Sequence, residues 1–152
     1  MTETAPRIVI DTNAWLDLLL FDDHRATALR QALYAGTVHA VGNAACRDEW
    51  LRVLQYPQLA LDRTRRAAML LAFDALARPL PDDAPVREPA TLPRCRDRDD
   101  QQFVQLAFDA HARWLVSRDR EVLALGRRTA RAGWFDIVTP QDWTPATIAS
   151  SG

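Results

Sequence analysis

Arg7-Ile8-Val9-Ile10-Asp11-Thr12-Asn13 is the stretch of sequence that decides the fold. Its first four residues predict a buried strand, and Asp11 follows at the carboxyl end of that strand. The segment Trp114-Leu115-Val116-Ser117 predicts a similar strand, which Asp119 follows in the same way. In an open parallel sheet, ligands bind at the carboxyl ends of strands where the strand order reverses. We therefore expect both carboxylates to face one crevice.

A third acid lies on a predicted helix from about Asn43 to Gln55. Glu49 falls on the same stripe as the apolar residues Trp50 and Val53. A buried carboxylate persists when it is paired or bound to a metal ion. Glu49 is therefore either the partner of an arginine or another member of the site.

A cluster of acids begins a later predicted helix, in the segment Cys95-Arg96-Asp97-Arg98-Asp99-Asp100-Gln101-Gln102-Phe103. Aspartates are favoured at a helix N-terminus as caps and by the helix dipole. Three carboxylates within four positions exceed what one cap needs. We expect Asp100 to join the site, Asp97 to assist it and Asp99 to cap the helix.

Convergence of these acids would require a counter-charge. Two carboxylates about 4 Å apart repel by roughly 4 kcal/mol at an effective dielectric constant of about 20. Without a cation, some acids must take up protons or the site must splay, whereas Mg²⁺ or Mn²⁺ turns the repulsion into coordination. The sequence therefore predicts a Mg²⁺ or Mn²⁺ site formed by Asp11, Glu49, Asp100 and Asp119.

Length and composition limit the number of domains and the class of protein. With 152 residues, of which 48% are hydrophobic, we expect a single domain spanning 1–152, with a core over about 7–143 and a frayed C-terminal tail. No apolar run is long enough for a membrane span and the N-terminus lacks a signal-peptide pattern, so a cytoplasmic protein without membrane contact is expected. The two cysteines predict buried thiols rather than a zinc site.

The charge distribution limits the chemistry. A net charge of −1 gives no overall attraction to nucleic acid, so any phosphate contacts must be local. All 19 basic residues are arginine. The absence of lysine excludes the phosphate-loop lysine of nucleotide hydrolases and any Schiff-base mechanism.

Strands and helices are predicted to alternate along the chain, which favours a parallel sheet covered on both faces. Strands are expected near Arg7–Ile10, Val38–Val41, Trp114–Ser117 and Asp136–Thr139. Helices are expected near Ala14–Leu20, Arg25–Ala35, Asn43–Gln55, Asp62–Ala77, Asp99–His111 and Asp119–Arg131. The proline-rich segment Pro79 to Pro93 is interpreted as an extended connection.

The order of these motifs resembles the PIN domain over roughly Arg7 to Trp143. The strand with Asp11-Thr12-Asn13, the helical Glu49, the acidic run and Ser117-Arg118-Asp119 carry the resemblance. Cys95-Arg96-Asp97-x-Asp99-Asp100-x-x-Phe103, followed by Leu125-Gly126 and Ile137-Val138-Thr139-Pro140, is similar to the branch of toxin components of toxin–antitoxin systems. The resemblance implies a three-layer α/β/α fold with a central parallel sheet of four or five strands.

The resemblance also implies a Mg²⁺- or Mn²⁺-dependent endoribonuclease that cleaves single-stranded RNA through metal-activated water. Asp11, Asp100 and Asp119 would hold the metal, and Glu49 would bind a second ion or a water, with Asp97 as an additional ligand. Residues that would orient the acids or a water are Thr12, Asn13 and Ser117. Arg118 and Arg120 are candidates for RNA contact. Gln101 and Gln102 stand where the branch usually has an acidic and a basic residue, which leaves the substrate contacts there open.

Two alternative functions stay open, and two protein partners are expected. A non-catalytic PIN-like module that binds RNA or protein is one alternative, and phosphotransfer through an aspartyl-phosphate at Asp11 is the other. The branch implies an antitoxin protein as a partner. The branch also implies a homodimer, because its members commonly pair, and Trp134, Phe135 and Trp143 add aromatic surface that one small domain would leave uncovered.

Overall fold

A computed structural model describes residues 5–80, 86–88 and 90–144. Its centre is one sheet of five parallel strands in the order β3-β2-β1-β4-β5. The strands are β1 Arg7–Ile10, β2 His39–Val41, β3 Ala77–Arg78, β4 Trp114–Val116 and β5 Asp136–Val138. This sheet, flanked by helices, confirms the expected three-layer α/β/α fold.

Seven α-helices connect and cover the described strands. They are α1 Thr12–Trp15, α2 Thr27–Ala35, α3 Ala44–Leu54, α4 Arg63–Leu76, α5 Arg98–Asp109, α6 Arg120–Leu123 and α7 Gly126–Arg131. A π-helical turn, Leu16–Leu20, continues α1, and two 3₁₀ turns span His24–Ala26 and Pro57–Leu59. Among the helices of the described ranges, none has both the length and the apolar character needed to cross a membrane.

The structure differs from the sequence prediction at two elements. Helix α4 ends at Leu76, and the backbone becomes extended at Ala77, the residue at which the helix was predicted to end. The short strand β3 that begins there was not predicted from the sequence. Pro79 disfavours helical backbone at the preceding Arg78, so helix α4 has to end before that residue. The single helix predicted from Asp119 to Arg131 is two helices, because the chain breaks before Gly126, a residue that weakens helices.

Several aromatic residues pack in or against the hydrophobic core. Trp15 is buried against the edge of the Phe73 ring, so it cannot stack on a base. Trp143 is buried against Trp114, and Phe135 is buried as well. Trp134, which was expected to be uncovered together with them, packs edge-on against Phe108 with 5.4 Å between ring centres. The expectation of uncovered aromatic surface for a dimer was therefore wrong.

The remaining connections agree with the predicted pattern where the structure describes them. Residues 79–80, 86–88 and 90–95 form neither helix nor strand, whereas residues 81–85 and 89 of the proline-rich segment lie outside the described residues. The predicted frayed tail also lies outside them from residue 145 onward. Cys46 is buried, Cys95 is half-buried, and both are free thiols.

The strand order places a topological switch point in the middle of the sheet. β1 pairs in parallel with β2 on one side and with β4 on the other. The chain therefore leaves β1 first toward β2 and β3 and later returns to build β4 and β5 on the opposite side. Asp11 and the turn from Ser117 to Asp119 follow the two strands that meet at this point.

Candidate active site

A cleft of about 370 Å³ opens at the switch point between β1 and β4. Its walls come from the ends of these strands, from α3 and from the start of α5. The acids that line it are Asp11, Glu49, Asp97, Asp99, Asp100 and Asp119. The structure therefore brings together the four acids that the sequence singled out, although they are distant along the chain.

Asp11 is the most buried acid of the cleft, with 3% of its surface exposed. Its backbone N–H donates to the carbonyl of Val116, which extends the pairing of β1 with β4 into the site. Its Oδ1 accepts from the N–H of Ala14 over 2.9 Å and so caps α1. Burial raises the pKa of Asp11 from 3.8 to about 6, although hydrogen bonds from Ser117 and Ala14 partly oppose that increase.

Ser117 joins two of the acids. Its hydroxyl hydrogen-bonds the Asp11 carboxylate, and its Oγ accepts from the N–H of Asp119 over 3.0 Å. The Asp119 carboxylate caps α6 by accepting from the N–H of Glu121 over 2.8 Å. One buried side chain thus connects the acid at the end of β1 with the acid that follows β4.

Asp100 and Asp119 are hydrogen-bonded to each other through their carboxyl groups, which requires a proton between them. Burial, followed by the negative charge of Asp119, raises the pKa of Asp100 to about 7. Two carboxylates this close cannot both ionise without a compensating charge. The pair therefore retains a proton near neutral pH when no cation is bound.

Glu49 reaches the cleft from α3 and is half-buried there. The Thr12 hydroxyl hydrogen-bonds its carboxylate, and the Gln102 side chain donates to its Oε2 over 2.8 Å. Burial raises the pKa of Glu49, with the negative charges of Asp99 and Asp11 adding to the increase. Its partners are therefore a hydroxyl and an amide, and no salt bridge joins it to an arginine within the described residues.

The cap of α5 differs from the sequence prediction, which assigned it to Asp99. Asp97 is the N-cap of α5, because its Oδ1 accepts from the N–H of Asp99 over 2.9 Å. Asp99 lies in the first turn of that helix and is exposed. Both still line the cleft, so each adds negative charge to it.

The donors of the cleft suit a hard divalent cation. They are carboxylates supported by hydroxyl groups, which are the oxygen ligands that Mg²⁺ and Mn²⁺ prefer. In the conformation described for residues 5–80, 86–88 and 90–144, no three His, Cys, Asp or Glu side chains are already arranged around one metal position. In that conformation the oxygens bind backbone N–H groups and one another, and burial raises the pKa values of Asp11 and Asp100.

A comparison with models of protein families matches the PIN domain over residues 7–121, which is more than half of the 152-residue chain. The chain belongs to the PIN-domain family. The matched range includes all four acids of the cleft. PIN domains are generally nucleases, so family membership supports an enzyme of the hydrolase type. Neither the curated proteins nor the solved structures compared with the chain include a significant match.

Arg118 of this PIN domain has a partner that the sequence pattern did not indicate. Its Nε lies 2.8 Å from Oδ2 of Asp17, an acid in the π-helical turn whose side chain is 6% exposed. The Gln141 side chain donates to the same Asp17 oxygen over 3.1 Å. Arg118 therefore anchors the turn that carries Asp119, which reduces its availability for the predicted contact with RNA.

Other predicted contacts of the PIN domain differ in their exposure. Asn13 is exposed at the edge of the cleft. Arg120 is exposed, and the described part of the chain contains no ion-pair partner for it. Tyr56, which the sequence prediction missed, lines the cleft and is 46% exposed. Phe103, the other aromatic residue that lines the cleft, is buried.

Proposed function

We propose that this PIN domain is a Mg²⁺- or Mn²⁺-dependent endoribonuclease that cleaves single-stranded RNA. The observation that carries the proposal is the set of four acids in one cleft at the switch point, two of which have pKa values raised to about 6 and about 7. Strongly raised pKa values in a cleft are typical of functional sites. In the proposed mechanism, Asp11, Asp100 and Asp119 would hold the cation, and Glu49 would hold a second cation or a water.

The bound cation would supply Lewis-acid polarisation and activate water for attack at phosphorus. The protein's own contribution is to position the acids. Ser117 fixes the relative positions of Asp11 and Asp119, since it bonds both. Thr12 and Gln102 hold the Glu49 carboxylate from two sides. The proton between Asp100 and Asp119 would leave as the cation binds, so binding is expected to strengthen as the pH rises through about 7.

The charges around Asp11 argue against phosphotransfer through this residue. The incoming phosphoryl group is negatively charged, and families that phosphorylate an aspartate usually neutralise that charge with a lysine, which this chain lacks. The acids around it would also repel a phosphate dianion. Hydrolysis supported by a cation fits this cleft better.

Cleavage of a fluorophore-labelled single-stranded RNA, with and without Mn²⁺, tests the proposal. We expect Mn²⁺-dependent cleavage that is lost in the variants Asp11→Asn and Asp100→Asn. Asp48→Asn is the matched control, because Asp48 is a residue of α3 that does not line the cleft. RNA binding without cleavage under any divalent cation would contradict the nuclease proposal and favour a non-catalytic PIN-like module.

We also propose that the nuclease is the toxin of a toxin–antitoxin pair and acts in the cytoplasm as a homodimer. These proposals rest on the sequence resemblance to the toxin branch. Growth arrest on expression, relieved by a gene adjacent to this one, would support the toxin role. Light scattering at physiological salt tests the homodimer, and a monomer with full activity would contradict a link between assembly and cleavage.

A further inference from the structure

A second cavity, of about 450 Å³, lies along the face of α5 that points away from the acidic cleft. One wall is the irregular segment 90–95, and the opposite wall is the face of α5 that carries Arg98, Gln101 and Gln105. Arg94 and Arg98 bring one guanidinium from each wall. The groove is thus basic, whereas the cleft is acidic.

Gln101 holds the two walls together. Its Oε1 accepts from the N–H of Cys95 over 2.6 Å, and its Nε2 donates to the carbonyl of Pro93 over 3.2 Å. Both ends of its amide are therefore bound to the residues on either side of Arg94. The groove is preorganised by these two bonds, so a ligand would not have to order segment 93–95 as it binds.

Arg94 and Arg98 are both exposed, and no ion-pair or hydrogen-bond partner for either guanidinium exists in the described ranges. Their neighbours are different, because Arg96 lies 3.5 Å from Glu121 and Arg118 is bound to Asp17. The groove therefore holds free positive charge close to the acids. An unpaired guanidinium suits phosphate oxygens, which it can bind two at a time.

We propose that this groove binds the backbone phosphates of the RNA strand next to the phosphodiester that is cleaved. The inference rests on the proposed function and adds the place where the substrate backbone lies. Arg98 of the groove and Asp97 of the cleft line one shallow pocket at the start of α5, so the groove and the cleft are connected around that end of the helix. From Arg98 to Gln105 the helix rises roughly 10 Å. A polyanion repelled by the six acids of the cleft thus gains two cationic contacts beside it.

The salt dependence of binding tests the groove. Fluorescence anisotropy of a fluorescein-labelled single-stranded RNA gives the affinity of the protein for RNA in EDTA. Titrations from roughly 25 to 200 mM NaCl, the range in which phosphate contacts are screened, give the slope of log affinity against log salt concentration. Removal of one phosphate contact should reduce the magnitude of that slope by about 0.7, so Arg94→Gln/Arg98→Gln should reduce it by about 1.4. The matched control is Arg127→Gln/Arg128→Gln, which removes the same charge from exposed sites on α7 that line neither cavity.

Steady-state cleavage with Mn²⁺ provides the second readout. We expect KM to rise by about tenfold for each guanidinium that is removed, with kcat unchanged in the Arg94→Gln/Arg98→Gln variant. If this variant and the wild type have equal slopes and equal KM values, the proposed binding of RNA in the groove is wrong, and the nuclease proposal is unaffected. A control variant with the same reduction of slope would also contradict binding in the groove. Failure of the wild type to bind or cleave RNA would overturn the proposed function and the groove with it.

Discussion

In metal-free protein, Asp11→Asn should increase stability at neutral pH. Burial raises the pKa of Asp11 in the folded state to about 6, above the value near 3.8 that applies when the chain is unfolded. A carboxyl group whose folded pKa is raised stabilises the fold fully below its unfolded pKa. That contribution is lost as the pH rises through the folded pKa. The charged carboxylate therefore destabilises the folded state above about pH 6.

The size of the effect follows from the two pKa values. A rise in pKa from 3.8 to about 6 corresponds to about 3 kcal/mol at about pH 7.5, whereas less than about 1 kcal/mol applies at about pH 4. Asparagine keeps an oxygen that can accept from Ala14, so the substitution removes the charge without removing the cap. Its new N–H groups need partners of their own, so about 3 kcal/mol is an upper bound.

Urea unfolding in EDTA between about pH 4 and pH 8 measures this difference, with Asp48→Asn as the control for the removal of one negative charge outside the cleft. We expect a gain for Asp11→Asn that grows between about pH 4 and pH 7, and little change for the control. A variant that is less stable than the wild type at about pH 7.5, or a gain that does not depend on pH, would refute the reasoning. Added Mn²⁺ should stabilise the wild type more than the variant.

Three further predictions concern the site and its surroundings. Mn²⁺ at about a hundredfold excess over its dissociation constant should stabilise the wild type by about 2.7 kcal/mol and raise its Tm in scanning fluorimetry. The Asp100→Asn variant should lose most of that increase in Tm. Equal increases in the wild type and the variant would show that the ion binds elsewhere. Arg118→Gln should cost about 1–3 kcal/mol in urea unfolding, because it leaves the buried charge of Asp17 without its ion-pair partner, whereas Asp17→Asn should cost less, because Arg118 is exposed and stays solvated; fully additive costs in the double variant would show that the pair is not coupled. Tyr56→Ala should raise the KM for RNA about 5- to 150-fold because a base can no longer stack there, whereas Tyr34→Ala, at an exposed tyrosine outside the cleft, should not; a similar KM for both would exclude stacking on Tyr56.

The parts of the fold that were predicted from the sequence are those with a local signal. Buried strands such as β1 and β4 are runs of apolar residues that end in a polar group, so their carboxyl ends can be located along the chain. Strand β3 has only two residues and follows α4 without a break, which leaves no pattern to detect. The cap of α5 is Asp97 rather than the predicted Asp99 because the helix begins at Arg98, one residue earlier than predicted.

The parts that the sequence did not reveal depend on contacts between distant residues. Asp17 and Arg118 are far apart along the chain, and neither has a neighbour that indicates an ion pair. The burial of Trp143 likewise depends on Trp114. The two glutamines of α5 looked like a departure from the family pattern, but Gln101 binds segment 93–95 and Gln102 binds Glu49. Such roles depend on tertiary contacts, which leave no local pattern in the sequence.

The pairing of β1 with β4 has a consequence for synthesis on the ribosome. Ile8 is added to the chain first, and its partner Trp114 follows about a hundred residues later, which at roughly 5–20 residues per second means a delay on the order of ten seconds. Until β4 docks, Asp11 has no Ser117 beside it and Asp119 has not joined the cleft. A growing chain therefore carries an incomplete set of acids during that interval, and the nuclease that we propose would be unable to cleave RNA until β4 and Asp119 have been added and have docked.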